Sequence, residues 1–303
     1  MARSRSDWEG IFRTWSLGPA ATESAKAENA ERAIRKAIDA SQRLRAMDVD
    51  VFPQGSYRNR TNVRQNSDVD ICVRCMSFIR AEYPVGVSNE DAGLVDALYT
   101  YGEFKDDVQQ ALVAYFGSLS VTRGGKAFDV HANTNRIDAD VVPTFELRKY
   151  FHNPSGLLSY TSGTLLIPDS GREIRNYPDQ HYERGVEKNT RTQKTFKRTV
   201  RILKRLRDEM AEEGFAEAVE ISSYLIECLV GSVPEDTFNY DNWHQVVRAV
   251  LAGVFNGTQQ DDRCKDWREV NRVKVLFHSF QPWHRSIAHD FAGAAWDYIG
   301  FED

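Results

Sequence analysis

The segment QGSYRNRTNVRQNSDVDICV, residues 54–73, holds the features of the chain that decide its fold. It begins with a Gly-Ser pair and ends in an alternating run in which Asp68 and Asp70 flank Val69. Side chains of a strand point alternately to opposite faces, so this run predicts a β-strand with both carboxylates on one face. The segment therefore sets two acids side by side at the start of an apolar strand, shortly after a Gly-Ser turn.

The rest of the chain divides into a mixed front half and a helical back half. Residues 22–46 are rich in alanine and charged side chains without glycine or proline, which predicts one long helix. A second helix is predicted over 90–117, followed by a hairpin that turns at the Gly-Gly pair 124–125. A strand is predicted in RIDADVVPTFEL, ended or bent by Pro143. Loops dominate 150–190, and helical patterns follow almost to the last residue.

Composition and charge narrow the class of protein. The 303 residues include 41% hydrophobic and 27% charged residues, a usual balance for a globular chain. The net charge of −5 disfavours a protein that coats nucleic acid. No apolar run approaches the ~18 residues of a membrane span, and MARSRSDWEGIF lacks the apolar stretch of a signal peptide. We therefore expect a cytoplasmic protein that does not bind membranes.

The cysteines do not indicate a metal or redox centre. Four cysteines are too few and too scattered for a disulfide framework. Cys72 and Cys75 form a C-x-x-C in or just after the predicted strand, where positions three apart face opposite sides and would chelate one ion poorly.

The acids of the opening segment point to metal-dependent phosphoryl chemistry. Carboxylates on one strand face can bind the same ions, and a third acid from the later DADVV run can join them if its strand lies alongside. Three hard oxygen ligands around two Mg²⁺ ions suit in-line nucleotidyl transfer. Gly55 lets the backbone approach a phosphate closely, and Ser56 can bond its oxygens. The alternative is that D-x-D is only the solvent face of an amphipathic strand.

These motifs resemble a known group of enzymes. Gly-Ser followed by Asp68-Val69-Asp70 resembles the DNA polymerase β-type nucleotidyltransferase superfamily. QGSYRNRTN with NSDVDICV is similar to the bacterial cGAS/DncV-like nucleotidyltransferases (CD-NTases). REIRNYPDQHYERGVEKN (172–189) and FKRTVRILKRLRDEM (196–210) resemble clade E, the CdnE-type cyclic dinucleotide synthases. The likeness runs from about residue 50 to 230.

The resemblance implies a role for one acid of the DADVV run. Asp138 and Asp140 share a strand face, so spacing alone does not choose between them. In oligoadenylate synthetase-like relatives the third ligand directly precedes a V-x-P or V-V run, here Val141-Val142-Pro143, which implies Asp140 as the group nearest the attacking hydroxyl. Asp138 is the reserve candidate.

Further nucleotide contacts are implied in the back half. Lys204 of ILKRLR would reach the donor triphosphate, although a solvated charged helix face is the alternative. Ser223 would bond the triphosphate and Tyr224 would stack on the donor base, or the pair forms a helix cap and a core tyrosine. Asn176, before Tyr-Pro, would select a pyrimidine, or it serves a turn. Gln180 and His181 are second-rank candidates for base selection.

The activity implied is the joining of two nucleoside triphosphates into a cyclic dinucleotide for CBASS-type anti-phage signalling. The substrates would be UTP, ATP or GTP, with Mg²⁺ or Mn²⁺, and a uridine-containing product is favoured. A separate effector would respond to the product. We expect no DNA activator, because a zinc-type Cys/His cluster and a positive overall charge are missing from the sequence, and we expect a monomer. The alternatives are a nucleotidyltransferase that modifies an antibiotic, tRNA or protein, and a non-catalytic nucleotide sensor.

We expect a mixed α/β (α+β) fold with a polymerase β-like core. Residues 1–150 would form this core, with the long N-terminal helix bracing both lobes. Residues 151–190 would form a loop-rich connection that lines the nucleotide pocket, and 191–303 a helical lobe.

Overall fold

The computed structural model describes residues 3–63 and 68–301, and the chain separates into two compact units. We call these the sheet unit and the helical unit. The sheet unit consists of Ala20–Arg58 and Arg64–Pro178, and the helical unit consists of Met1–Pro19, Asn59–Val63 and Asp179–Asp303.

The sheet unit is built on a mixed sheet, as the sequence predicted. Its strands are β1 Val49–Pro53, β2 Val69–Glu82, β3 Val121–Arg123, β4 Phe128–Val130, β5 Ala139–His152, β6 Leu158–Leu166 and β7 Ile174–Asn176. The strand order is β1-β2-β5-β4-β3, and β6 pairs with β5 and β7. β2 and β5 are parallel and the other pairs antiparallel, so two strands distant in sequence meet at the centre.

The helices follow one another along the chain. They are α1 Arg5–Trp15, α2 Ala21–Ala40, α3 Gln42–Arg45, α4 Gly55–Asn59, α5 Tyr101–Phe116, α6 Pro178–Arg191, α7 Thr195–Glu212, α8 Ala216–Glu220, α9 Ser223–Ser232, α10 Trp243–Gly257, α11 Asp261–Cys264 and α12 Arg285–Ile299. The predicted helix 22–46 is thus two helices, because extended Ser41 ends α2 and caps α3. In the sheet unit α2 and α5 share one apolar core with β2, which includes Ile34, Phe104 and Ile71.

The helix predicted over 90–117 begins eleven residues later, at Tyr101, so that part of the prediction was wrong. Thr100 is extended and forms a capping box with Glu103, which fixes the first turn of α5 at Tyr101. Val95 and Leu98, counted as part of an apolar helix face, are 90% and 99% exposed.

Pro143 does not end its strand, contrary to one prediction. β5 pairs with β4 only as far as Val141 and with β6 only from Phe145, so the proline lies where that side of β5 has no partner. There its missing N–H costs no ladder hydrogen bond. Its own carbonyl accepts a hydrogen bond of 2.6 Å from the Tyr101 hydroxyl.

The boundaries expected at residues 150 and 190 differ from those of the structure. Residue 150 lies inside β5, and the stretch expected to be loop-rich contains β6, β7 and most of α6. The cause is a long hairpin, in which β5 and β6 pair from Phe145 to His152. Residues 1–19 belong to the helical unit rather than to the sheet core.

The helical unit has its own core. The apolar stripe expected on α7 is buried, since Phe196, Val200, Leu203 and Leu206 are at most 2% exposed. They pack with residues of α1, α9, α10 and α12. Within the described residues, no helix combines the length and the apolar character needed to cross a bilayer.

Candidate active site

Acidic side chains from three neighbouring strands form a row in the sheet unit. Asp70 on β2 is in register with Asp140 on β5, and Asp140 is in register with Asp129 on β4. Register partners point to the same face of a sheet, and adjacent strands lie about 4.8 Å apart. Asp68 lies two positions before Asp70, and the backbone N–H of Val69 donates to the Asp138 carbonyl at 3.0 Å. The parallel β2–β5 pair therefore joins the D-x-D motif to the DADVV run.

The pKa values of these acids reflect their crowding. Burial, with the charges of Asp140 and Asp68, raises the pKa of Asp70 to about 6. Burial and neighbouring carboxylates also raise the pKa of Asp68 and of Asp140. Like charges held close to one another favour a bound cation, and carboxylate oxygens are the ligands that Mg²⁺ prefers. The donor set of this row therefore fits divalent metal ions.

Asp138 and Asp140 occupy different surroundings. The Asp138 carboxylate accepts a 2.6 Å hydrogen bond from the Ala132 backbone N–H. Asp138, Asp129 and His131 also offer ligand atoms that all lie within 4.8 Å of one another. Asp140, not Asp138, stands in register with Asp70. This favours Asp140 as the partner of the D-x-D motif, and its ligand role stays a prediction.

Asp129 was missed by sequence reasoning. It lies in the FDV run of β4, the second strand of the hairpin predicted at the Gly-Gly pair. A period-two alternation was visible there, but nothing in the sequence showed that β4 would pair with β5 opposite Asp140.

The Gly-Ser turn lies directly against the acidic row. Gly55 has φ +64°, and a Cβ at this position would stand 2.3 Å from Oδ2 of Asp70. The Gln54 N–H donates to the Asp70 carbonyl at 2.8 Å, and Ser56 is half-buried in the first turn of α4. Glycine is thus required both by the left-handed backbone and by the carboxylate beside it.

Gly55→Ala is expected to lower the rate of pyrophosphate release by about 100-fold, because the methyl group displaces the Asp70 carboxylate. Thermal melting should show a modest loss of stability, about 1–2 kcal/mol, from the strained backbone. The matched control is Gly125→Ala in the hairpin turn, where a Cβ meets nothing within 4 Å. Equal rates for both variants would show that the Gly55–Asp70 contact is unimportant.

The helical unit places Lys204 differently from the prediction. Its ammonium is 3% exposed and donates to Glu227 Oε2 at 2.9 Å, and to the Thr61 carbonyl and hydroxyl at 3.3 and 3.2 Å. An ammonium has three donors, and these contacts use all of them. The predicted direct contact with a triphosphate does not fit this geometry, because Lys204 forms a buried ion pair.

The same buried pair lies in a network that binds the backbone of residues 60–61. The Thr61 hydroxyl donates to Glu227 at 2.7 Å, and the Arg201 guanidinium donates to the Arg60 carbonyl at 2.6 Å. His181 Nε2 lies 2.9 Å from Glu227. Burial alone would raise the pKa of Glu227, but Lys204 and the bonds from His181 and Thr61 hold it well below its usual range. Lys204 and Arg201 of α7 are therefore buried and bind the backbone of residues 60–61, so the alternative of a solvated charged face does not describe them.

Ser223 is the first residue of α9, and Ser222 caps the helix by accepting from the Leu225 N–H at 3.1 Å. The Ser223 oxygen accepts a 2.6 Å hydrogen bond from Arg207, so its own hydrogen remains available to an acceptor. Helix N-termini favour anions. Arg207, which the sequence did not single out, thus fixes the predicted triphosphate contact, while its guanidinium also pairs with Asp208 at 2.8 Å.

Tyr224 has a fixed hydroxyl and is partly exposed. The hydroxyl donates to Glu269 at 2.8 Å, and burial, with the charges of Cys228 and Glu269, raises the pKa of Tyr224. The residue is 37% exposed, and its ring lies 5.4 Å from the ring of His181 and 5.9 Å from that of Trp283. A tyrosine anchored by its hydroxyl within an aromatic cluster suits stacking on a base, and this role stays a prediction.

Asn176 is the last residue of β7 in the sheet unit and is exposed. Tyr177 beside it is 4% exposed, and a Cβ on Gly163 would stand 2.9 Å from its ring and 2.5 Å from the Asn176 carbonyl. The backbone of Asn176 is therefore fixed by close packing while its carboxamide faces solvent. Among the second-rank candidates, His181 is buried on Glu227, and Gln180 has a buried Oε1 without a hydrogen-bond partner among the described residues.

Comparison with known proteins gives consistent matches. Residues 183–300 match the model of the cGAS/DncV-like nucleotidyltransferase C-terminal helical domain. The chain is 47% identical to the cyclic dipyrimidine nucleotide synthase CdnE of Legionella pneumophila, over 97% of this chain and 98% of that protein. It is 37% identical to the cyclic dipyrimidine nucleotide synthase CdnE of Cecembia lonarensis, over 97% and 98%. The solved Rhodothermus marinus CdnE c-UMP-AMP synthase with Apcpp and Upnpp superposes with a TM-score of 0.81 at 30% identity, covering 97% and 98%.

Proposed function

Because the chain belongs to the cGAS/DncV-like nucleotidyltransferases, we propose that it joins two nucleoside triphosphates into a cyclic dinucleotide and releases pyrophosphate at each joining step. One observation carries the proposal. The parallel β2–β5 pair aligns Asp70 with Asp140, and Gly55 lies against the Asp70 carboxylate. A turn that admits a phosphate thus adjoins a row of metal-binding oxygens.

Asp68, Asp70 and Asp140 would hold two Mg²⁺ ions, or Mn²⁺. Bound divalent cations lower the pKa of an attacking hydroxyl and offset negative charge on the phosphates. Gly55 and Ser56 bind the phosphates next to these acids. Ser223 donates to the donor triphosphate with Arg207 beside it, and the Tyr224 ring stacks on the donor base with its hydroxyl held by Glu269. Lys204 acts indirectly by fixing residues 60–61.

Each step forms one phosphodiester bond. A ribose hydroxyl near Asp140 attacks the α-phosphorus and gives its proton to the Asp140 carboxylate, while the bond to pyrophosphate breaks and pyrophosphate leaves from the opposite side. The linear intermediate then turns round, so that its remaining triphosphate becomes the donor. The dinucleotide closes into a ring with the second pyrophosphate released.

We further propose that one product base is uracil. Two relatives are named cyclic dipyrimidine nucleotide synthases, and the solved Rhodothermus marinus enzyme is a c-UMP-AMP synthase. Asn176 offers an exposed carboxamide, which can donate to O4 and accept from N3–H of uracil.

Asn176→Ser is expected to lower the share of uridine in the product about tenfold, because the shorter side chain loses one of two base contacts worth roughly 1–3 kcal/mol together. Mass-resolved products from a mixture of four NTPs give the measurement. Gln180→Ala is the comparison variant and should leave the product mixture unchanged. If Gln180→Ala shifts the bases and Asn176→Ser does not, the selecting residue is Gln180.

The product would act as a second messenger in CBASS-type anti-phage signalling within the bacterial cytoplasm. An effector would bind the cyclic dinucleotide rather than the enzyme, which would work as a monomer. DNA would not activate it, since a net charge of −5 offers poor attraction to a polyanion. This part of the proposal rests on the resemblance to clade E.

Incubation of the purified protein with labelled NTPs and Mg²⁺, without any acceptor, tests the activity. The proposal expects label in a phosphatase-resistant product together with pyrophosphate. Label that enters product only when an antibiotic, tRNA or protein acceptor is supplied would replace cyclisation with acceptor modification. Absence of pyrophosphate under every NTP and metal combination would make the protein a nucleotide sensor.

A further inference from the structure

The helical unit contains a cavity of about 450 Å³ at the C-terminal end of α9. It is lined by residues of α6, of the end of α9 and of the loop 266–272. Its lining is mainly basic, with one aromatic wall. The residues that matter here are Arg184, Lys188, Asp266, Trp267, Arg268 and Arg272.

Most of the positive charge of this cavity is not neutralised. Arg184 pairs with Glu187 at 2.9 Å, whereas the guanidinium groups of Arg268 and Arg272 form no ion pair with any described residue. Asp266 is the one exposed acid in the lining, because the other acid, Glu269, is 1% exposed. The Glu269 carboxylate is already bound by Tyr224, Asn271, Lys274 and Gln281.

Lys188 forms the floor of the cavity. Its ammonium donates to the carbonyls of Gly231 and Val233 at 2.7 and 2.6 Å. Burial lowers the pKa of Lys188 to about 8; the charge of Glu235 raises this pKa, and the positive charges of Arg191 and Arg272 lower it. Lys188 thus adds a buried cationic side chain to the arginines of the lining, and a bound anion would favour its charged form.

The loop presents its arginines in a fixed shape. Arg272 has φ +58°, a left-handed conformation that an arginine adopts reluctantly. The Asn271 side chain accepts from the N–H groups of Val273 and Lys274 at 2.8 and 3.1 Å, which holds the turn. Glycine would adopt the Arg272 backbone conformation without strain. The arginine instead places a guanidinium group at the rim of the cavity.

We propose that this cavity binds a phosphate-bearing anion, with Arg268 and Arg272 on the phosphates and Arg184 completing the charge. The phosphates could be those of a free inorganic polyphosphate or of a nucleotide, whose base would lie on Trp267. A guanidinium group can donate two parallel hydrogen bonds to a phosphate, and an aromatic ring can stack on any of the bases.

Occupancy would have a consequence for the proposed function. Glu269 belongs to the cavity lining and holds the Tyr224 hydroxyl. An anion that fixes the loop would therefore fix the ring proposed to stack on the donor base. Only this consequence rests on the proposed function, since binding itself needs no turnover.

Calorimetric titration with inorganic triphosphate in EDTA tests the binding site without catalysis. We compare the unaltered protein with the double variant Arg268→Ala/Arg272→Gly. Glycine relieves the left-handed backbone, so thermal melting should show no loss of stability. The matched control is Arg13→Ala on α1, an exposed arginine whose ion pair with Glu9 is 3.6 Å long.

The expected result is one site per chain, weakened at least tenfold in the double variant and unchanged in Arg13→Ala. No binding to the unaltered protein, or equal binding by all three proteins, would overturn the proposal. UTP and ATP in EDTA form a second arm. If nucleotides bind more tightly than triphosphate, and Trp267→Leu removes this difference, the ligand is a nucleotide. If nucleotides and triphosphate bind with equal affinity, the ligand is an inorganic polyphosphate.

Discussion

Asp70→Asn is expected to abolish product formation, with a loss of at least about 10³-fold, because a neutral amide cannot replace the carboxylate that the metal ions require. Initial rates of pyrophosphate release with labelled NTPs give the measurement. Asp140→Ala should lose activity to a similar degree. Asp138→Ala is the matched control in the same run of sequence and should retain substantial activity, since its carboxylate is bound to the Ala132 N–H.

Asp70→Asn should also stabilise the folded protein when no metal is bound. The pKa of Asp70 stands at about 6 in the folded chain, above the ~3.9 of an unfolded one. Ionisation at pH 7 therefore opposes folding, and Asp70→Asn should add up to about 3 kcal/mol in EDTA. The gain should shrink as the pH falls below 6, where the folded-state carboxyl is already protonated. An active Asp70→Asn, or an inactive Asp138→Ala beside an active Asp140→Ala, would contradict the assigned acids.

Lys204→Met is expected to lower the free energy of unfolding by about 3–5 kcal/mol, because it leaves the buried Glu227 carboxylate without its cation. Urea denaturation measures the change. The double variant Lys204→Met/Glu227→Leu should recover much of it, since an apolar pair removes the uncompensated charge. Lys265→Met, a surface lysine of the same unit, should change stability by less than about 0.5 kcal/mol.

Kinetics separate this interpretation of Lys204 from the one that the sequence suggested. A Lys204→Met protein as stable as the unaltered one, but with a raised KM for NTPs, would restore the direct triphosphate contact. The pH dependence gives a further check. The pKa of Glu227 is depressed in the folded protein, so its contribution is present above the ~4.5 of an unfolded glutamate and is lost as the pH falls. Glu227→Gln should therefore make the free energy of unfolding depend less on pH in the acid range.

The sequence predicted the architecture well where one pattern had one explanation. The alternation around Asp68 and Asp70 defines β2, and the mixed sheet with a helical C-terminal part is confirmed. It failed where a local signal competed with periodicity. The capping box at Thr100 overrides the apolar run before it, and Pro143 is tolerated because one side of β5 lacks a partner there.

The sequence predicted which types of residue form the candidate site, but not which residues they contact. Asp140 was predicted from the resemblance, because spacing alone does not separate it from Asp138, whereas Asp129 depends on which strand lies beside β5. The basic face of α7 looks the same in sequence whether it is solvated or buried. Only the fold shows Glu227 opposite Lys204, with Thr61 between them. A contact between residues far apart in the sequence produces no periodic pattern from which it could be predicted.

Anomalous diffraction from crystals grown with Mn²⁺ and a non-hydrolysable NTP would show directly which acids bind the metal ions. We expect peaks for two ions bound by Asp68, Asp70 and Asp140, with the triphosphate beside Gly55 and Ser56. Ions bound instead by Asp129, His131 and Asp138, or no ion at the row of acids with nucleotide present, would contradict this expectation.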